Sequence, residues 1–289
     1  MFSNTPTGGI VLAATPLGDP RDASQHLREL LATADVVAAE DTRRLRTLAA
    51  RLDVNVTGRV LSFFDHNERS RIPLLLEAAQ TGVVLVVSDA GTPLVSDPGF
   101  ALVRAAIAAE LPVTCAPGPS AVLVALALSG LPSDRFAFDG FVPRAATERA
   151  AWLDTLVTER RTVVVFDSPR RLATTLADAA ARLGPERPAA VARELTKPHQ
   201  EIQRGSLAQL AQWAAEGEVR GEVTLVLGGA PNRPRPPDAV LVGAVRALTA
   251  AGWGLKDAVA QVAGEHGASK RALYQATLAS TKQTAEQAK

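Results

Sequence analysis

A single cysteine, Cys115, leaves this chain of 289 residues without a partner for an internal disulfide and without a thiolate cluster. Its four histidines are scattered and lack the close spacing of zinc ligands. A reducing, cytoplasmic compartment and no structural metal are therefore expected. Long hydrophobic runs are missing as well. The longest, Ala121 to Leu128, falls far below the ~18 residues that span a bilayer. Met1 to Thr7 carries no basic stretch of the kind that opens a signal peptide, so neither leader nor membrane anchor is expected. Nor does one sign of charge prevail: 31 basic side chains stand against 30 acidic ones, so any nucleic-acid footprint must be local. The strings G-x-G-x-x-G, G-x-x-x-x-G-K-[ST], G-x-S-x-G and H-E-x-x-H are absent, which removes support for the usual dinucleotide fold, a P-loop, and nucleophilic or zinc hydrolases.

What is present is apolar residue in quantity, 47% of the chain, enough for two compact cores and a small third unit. From Gly9 to about Pro117, strand-length apolar runs (Ile10 to Ala14, Val36 to Ala39, Val60 to Phe64, Val83 to Val87, Val113 to Cys115) alternate with helical patterns at Ala23 to Ala32, Arg43 to Leu52, Asn67 to Gln80 and Gly99 to Ala109. That alternation predicts a largely parallel α/β domain. Ser120 to Ser129 is apolar all round and predicts a buried helix. A second series predicts another α/β domain with a mixed sheet: strands at Phe136 to Phe141, Thr162 to Phe166, Ala189 to Arg193, Glu201 to Arg204 and Glu222 to Leu227, with helices at Arg149 to Val157, Arg170 to Leu183 and Ser206 to Ala215. Gly228 to Pro237 carries four prolines and reads as a linker. Three helical patterns follow, Asp238 to Thr249, Leu255 to Glu265 and Ser269 to Ala279, the last with Ser269 as N-cap. The expected domains are residues 1–118, 119–230 and 231–289.

The densest chemical signal is Val83 to Gly99, a buried strand running into a loop with two glycines, two prolines and two aspartates. The carboxyl ends of strands are where open α/β sheets bind ligands. Gly91 permits close backbone approach, and Asp89 and Asp97 can accept hydrogen bonds from an amine or hydroxyl; a tight turn whose aspartates only cap amides is the competing account. Ala13 to Gly18 and Ala116 to Ala121 also follow strands with turns, and Ser120 can cap a helix, touch a ligand, or both. A-E-D-T-R-R (Ala39 to Arg44) and D-H-N-E-R (Asp65 to Arg69) end neighbouring strands, placing Glu40, Asp41, Arg43, His66, Asn67 and Glu68 at the rim of one cleft. In the second half, Arg170, Arg171, Arg193 and Lys197 follow strands and suit phosphates, with a solvated face or an ion pair such as Arg193 with Glu194 as the alternative. His26, His199 and His266 are expected to be structural or exposed.

Taken in order, A-T-P-L-G, A-E-D-T-R, F-D-H-N-E, V-S-D-A-G-T-P-L-V-S-D-P-G, A-P-G-P-S-A, S-G-L-P, F-x-G-F-V-P, S-P-R-R and R-E-L-T-K resemble the ribosomal RNA small subunit methyltransferase I family, over about residues 9–230 with similarity in the helical tail. Leu17 and Asp19 stand where many relatives carry isoleucine and asparagine, and Asp167 follows Phe166 before the S-P-R string. The resemblance implies the tetrapyrrole methylase-like fold, two α/β domains with a cofactor cleft between them plus a small C-terminal helical domain. It further implies S-adenosylmethionine as cofactor, 16S rRNA in the small ribosomal subunit as partner, 2′-O-methylation of a cytidine in the decoding centre, a homodimer and no membrane. On that basis Pro16, Asp89, Ala90, Gly91, Thr92, Ser120 and Ala121 are expected to bind the cofactor. Glu40, His66, Asp97, Glu194 and Lys197 are the candidates for proton removal or alkoxide stabilisation, and Arg43, Asn67, Arg170, Arg171 and Arg193 for RNA contact. Two other functions fit the same motifs: a tetrapyrrole or precorrin methyltransferase, and a non-catalytic RNA-binding ribosome-assembly factor.

Overall fold

The computed structural model describes residues 8–231 and 236–287, with side chains through residue 280. The chain divides into two compact units, Met1–Ala230 and Pro231–Lys289.

In the first unit, strands β1 (Gly9–Ala13), β2 (Val36–Ala39), β3 (Arg59–Ser62), β4 (Val83–Val87) and β5 (Val113–Ala116) form an all-parallel sheet ordered β3-β2-β4-β1-β5. Both faces are covered, which is why the central strands read as unbroken apolar runs. Successive side chains of a strand point to opposite faces. Val83, Leu85 and Val87 accordingly join α1 (Gln25–Thr33) and α2 (Thr42–Arg51), whereas Val84 and Val86 join α3 (Glu68–Thr81) and α4 (Phe100–Ala108). The chain runs from β1 to β2 on one side and later crosses from β4 to β5 on the other. The order therefore reverses between β1 and β4, and their carboxyl ends border the crevice where such sheets take ligands.

Strands β6 (Phe136–Phe141), β7 (Thr162–Asp167), β8 (Pro188–Arg193), β9 (Glu201–Ser206) and β10 (Val223–Leu227) form the second sheet, ordered β6-β7-β10-β8-β9. Only β6 and β7 are parallel; the other pairs are antiparallel, giving the mixed sheet that was expected. Helix α5 (Ala121–Ser129) packs Val122, Ala125 and Leu126 on one face, and α6 (Ala146–Leu156), α7 (Leu172–Leu183) and α8 (Leu207–Glu216) cover the other. Helix α5 rests on the second sheet, and both sheets lie within the one compact unit Met1–Ala230.

Three sequence expectations are corrected. Helix α5 is not buried all round: it lies over one sheet, and Leu123 is 56% exposed. Strand β3 stops at Ser62, not Phe64, because the Phe64 N–H donates to Asn67 Oδ1 at 2.9 Å and starts a turn. Helix α7 begins at Leu172, not Arg170, because the Arg171 N–H closes a turn on the Ser168 carbonyl at 3.0 Å.

The second unit holds α9 (Asp238–Ala250), α10 (Leu255–His266) and α11 (Lys270–Gln287) around Leu241, Val245, Val259, Val262 and Leu273. Left-handed Gly267 ends α10, and Ser269 Oγ accepts the Ala272 N–H at 3.3 Å as the expected cap of α11. Of the linker expected at Gly228 to Pro237, residues 232–235 lie outside the described residues.

Candidate active site

Three loops at the carboxyl ends of β1, β4 and β5 are tied together through the backbone. The Thr15 N–H donates to the Gly91 carbonyl at 2.8 Å and the Gly91 N–H returns to the Thr15 carbonyl at 3.1 Å, while Thr92 Oγ1 donates to the Pro119 carbonyl at 3.0 Å. Gly91 has φ +84°, which L side chains rarely adopt. Gly18 answers a different need. A Cβ there would run into the Lys197 side chain and stand 3.1 Å from its backbone nitrogen, so glycine lets the first loop lie against the R-E-L-T-K loop of the second sheet. The Asp19 N–H to Thr196 Oγ1 bond, 3.1 Å, fastens that contact. Leu94 (φ +71°) and Ser96 (φ +67°) in one loop, and Glu194 (φ +50°) and Thr196 (φ +59°) in the other, hold strained left-handed backbone. Such strain clusters at functional sites.

Between these loops and the second sheet lies a cavity of about 460 Å³, within the usual size of small-molecule sites. Phe166 forms part of its wall, met edge-to-face by Phe138 at 5.0 Å and Phe141 at 5.4 Å. The acidic side is built by Glu40, Asp89 and Asp97. Burial is the main cause that pushes the Asp97 carboxyl up to about 7; repulsion from Glu40 adds to it and a hydrogen bond from Ser88 opposes it. Burial also raises Glu40, although its Oε2 accepts the Asp89 N–H at 3.2 Å. Asp89 is raised by burial too, against the pull of Arg44 at 3.2 Å. A carboxylate that titrates near neutrality inside a cavity is suited to accept a proton from a bound hydroxyl. Among the described residues, no group of three or more His, Cys, Asp or Glu is placed to hold a metal ion, and no helix is long and apolar enough to cross a membrane.

Of the residues expected to bind a cofactor, Asp89, Ala90, Gly91, Thr92, Ser120 and Ala121 line this cavity. Pro16 instead lines a neighbouring groove of about 510 Å³ with Arg43, Arg44 and Arg51, and Leu17 takes the cavity wall. Ser120 occupies the N-cap position of α5, but its hydroxyl makes no capping bond; its carbonyl serves the helix through the Val124 N–H at 3.0 Å. Of the catalytic candidates, Glu40 and Asp97 line the cavity. His66 is exposed, edge-on to Phe64 at 6.2 Å. Glu194 and Lys197 are knotted together: Lys197 Nζ donates to Glu194 Oε1 at 2.9 Å and to Glu222 Oε2 at 3.1 Å.

The RNA candidates separate in the same way. Arg43 reaches the groove, paired with Asp41 at 2.8 Å. Asn67 staples its own turn, donating to the Ser62 carbonyl and accepting from the Phe64 N–H. Arg170 is exposed, and Arg171 braces the Val142 and Pro143 carbonyls and pairs with Asp167. Arg193 pairs with Glu201, not Glu194, because the antiparallel register of β8 and β9 sets those two opposite each other. Glu68, expected at the rim, accepts the Gly99 and Ala101 N–H groups at 3.1 Å and serves the start of α4. Sequence reasoning missed Leu17, Arg44, Phe141, Phe166 and Glu222 on the wall. For Arg44 a signal existed, since it adjoins Arg43 in A-E-D-T-R-R; the aromatics read only as strand core.

An all-parallel sheet joined to a mixed one, with a cavity bounded by the loops between them, defines a class, the Tetrapyrrole (Corrin/Porphyrin) Methylases, whose family model matches residues 9–211. Fold likeness agrees: uroporphyrin-III C-methyltransferase from Thermus thermophilus, solved in complex with S-adenyl homocysteine, superposes with a TM-score of 0.54 at 23% identity, over 76% of this chain and 97% of that one. Within the class, the chain belongs to the ribosomal RNA small subunit methyltransferase I family. It is 55% identical to the Mycobacterium bovis protein of that name over 96% of this chain and 97% of the relative. With the Escherichia coli protein it shares 39% identity over 94% and 95%. Residues 236–281 match the model of the RsmI C-terminal HTH domain.

Proposed function

We propose that the protein methylates the ribose 2′-hydroxyl of a cytidine in the decoding centre of 16S rRNA, with S-adenosylmethionine as methyl donor. The observation that carries this is Asp97, a carboxylate titrating near neutrality in the same cavity as the Asp89 to Thr92 turn. The residues present fit the cofactor: backbone groups of Ala90, Gly91 and Thr92 and the uncapped Ser120 hydroxyl offer polar partners, Asp89 offers a carboxylate for an amine, and Phe166 and Ala121 offer apolar wall. When bound, the sulfonium supplies an electrophilic methyl group. The protein's part is then to orient the hydroxyl and take its proton on the Asp97 carboxylate, with Glu40 holding that carboxylate basic. General-base assistance is typically worth ~10²–10⁴-fold, and orientation ~7–11 kcal/mol.

The charge pattern favours an RNA hydroxyl over a polyanionic macrocycle. Glu40, Asp89, Asp97 and Glu222 together repel a carboxylate-bearing tetrapyrrole from the cavity. An RNA strand can present only its hydroxyl there and lay its phosphates in the adjoining groove with Arg43, Arg44 and Arg51. A homodimer is supported by the apolar side chains that α4 and α5 leave exposed, Phe100, Ile107 and Leu123. The names of the relatives support small-subunit rRNA as the substrate, and we place the reaction in the cytoplasm as part of the same proposal.

The test is to incubate the protein with unmethylated 30S subunits and methyl-labelled S-adenosylmethionine, then digest the RNA to nucleosides. Label in 2′-O-methylcytidine from one decoding-centre position is expected. Label on a base, on another nucleoside or in protein contradicts the assignment.

A further inference from the structure

The helical unit carries a concave surface of its own. Helices α10 and α11 are joined by three residues, Gly267, Ala268 and Ser269, and cross as a helix–turn–helix pair. Leu273 turns one side of α11 into the core. The side bearing Lys270, Arg271, Tyr274 and Gln275 instead opens, together with Lys256 of α10, onto a groove of about 520 Å³. These residues recur one and four positions apart along α11 and so share a face.

The charge of this groove is unbalanced. Lys256, Lys270 and Arg271 are exposed and have no acidic partner among the described residues. Of the acids on α10, Glu265 accepts from Gln261 at 2.6 Å, and Asp257, although next to Lys256 in sequence, forms no ion pair among the described residues. Three uncompensated cations, a tyrosine and an amide around one concavity complement a strand of phosphates carrying bases, since cations displace condensed counterions and the aromatic ring offers a stacking face.

We infer that the groove between α10 and α11 binds the phosphodiester backbone of the RNA on which the protein acts, giving it a second hold on its substrate. This rests on the assignment of RNA as substrate. The first two turns of α11 supply the contacts, the part of the second helix that such pairs present to nucleic acid.

The experiment compares the full chain with Lys256→Ala, Lys270→Ala, Arg271→Ala and the triple variant. It measures binding of labelled, protein-free 16S rRNA across a salt series and S-adenosylhomocysteine uptake by calorimetry. Each removed cation is expected to lower the slope of log affinity against log salt by about one, and the triple variant by about three. Cofactor uptake and thermal unfolding should stay unchanged, and in methylation assays on 30S subunits KM should rise while kcat holds. Lys256→Arg and Lys270→Arg should keep the slope. An unchanged slope in the triple variant, beside wild-type methylation of rRNA, overturns this inference alone. Loss of binding to 30S subunits with naked 16S rRNA binding intact also overturns it, because the groove would then contact ribosomal protein. Wild-type protein that neither binds nor methylates rRNA overturns the substrate assignment itself.

Discussion

Glu40, Asp89 and Asp97 come from the carboxyl ends of parallel strands and lose water without gaining enough cations, so burial pushes each of them upward. Glu194 and Lys197 follow a strand of the second sheet, Glu222 precedes one, and the three satisfy one another: burial opposes both shifts, yet hydrogen bonds from Lys197 and the Glu222 N–H outweigh it and bring Glu194 below its ordinary range, and the two glutamates raise Lys197. Both clusters looked equally catalytic as residue types. The difference teaches that desolvation without pairing creates a group ready to exchange protons near neutral pH, whereas pairing removes one. On the proposed function the acidic cluster is the site of chemistry, and the ion-paired knot a fastening beside Gly18, where a Cβ would run into Lys197.

The sharpest way to break this contrast is to neutralise one member of each cluster. Asp97→Asn should lower kcat for methyl transfer about 10²–10⁴-fold with S-adenosylhomocysteine affinity, read by calorimetry, nearly unchanged. Lys197→Met should cost less than about tenfold in the same assay; the reverse ranking would exchange the two roles. Next in size is the backbone that frames the cavity. Gly91→Ala forces a side chain onto φ +84°, a penalty of ~1–2 kcal/mol, and should weaken cofactor binding about tenfold. The knot itself is worth less: Lys197→Met should destabilise the fold by about 1 kcal/mol, measured by urea unfolding.

Stability against pH separates the clusters by sign. The folded Asp97 carboxyl titrates at about 7 against its ordinary 3.8, so between those values the folded state holds a proton that the unfolded chain releases. Stability from this group is therefore present at acid pH, is lost as pH rises through that window and levels off above it. Glu194, lowered on folding, contributes in the opposite direction, losing stability as pH falls. In urea unfolding at several pH values, Asp97→Asn should show a smaller decline towards neutrality, the remainder coming from Glu40 and Asp89, which burial also raises. The smallest effect is expected for exposed His66: His66→Ala should alter kcat less than about twofold, and a larger loss would bring that residue back into the chemistry.

Much of the fold was legible because its signals are local. Central strands β2 and β4 coincide with the apolar runs Val36 to Ala39 and Val83 to Val87, since burial on both faces leaves no room for polar residues. The turn Asp89 to Thr92 was legible as cavity lining because it follows a buried strand at the carboxyl edge of the sheet, although Asp89 also accepts the Asp41 N–H as the competing turn account had it. What escaped turns on which of several possible partners a side chain takes. No local pattern tells that Asn67 would be spent on its own turn, that Arg193 would meet Glu201 across β8 and β9, or that Ser120 would leave its cap unmade. Arg187 is another such residue: an arginine between helix and strand reads as surface, yet it is buried and donates to the carbonyls of Gly228, Leu156 and Glu159. Phe166 looked like strand core until the second sheet met the loops of the first.

The most direct measurement is the pH profile of kcat/KM for methyl transfer to 30S subunits, which reports the essential groups of the free enzyme. With Asp97 accepting the proton, the wild-type rate should climb with pH through a midpoint near 7 and then level off, and Asp97→Asn should lose both the rate and the midpoint. A wild-type profile flat across neutrality, or an asparagine variant that keeps the wild-type rate and midpoint, would contradict the assignment of the acidic cluster as the place where the acceptor hydroxyl gives up its proton.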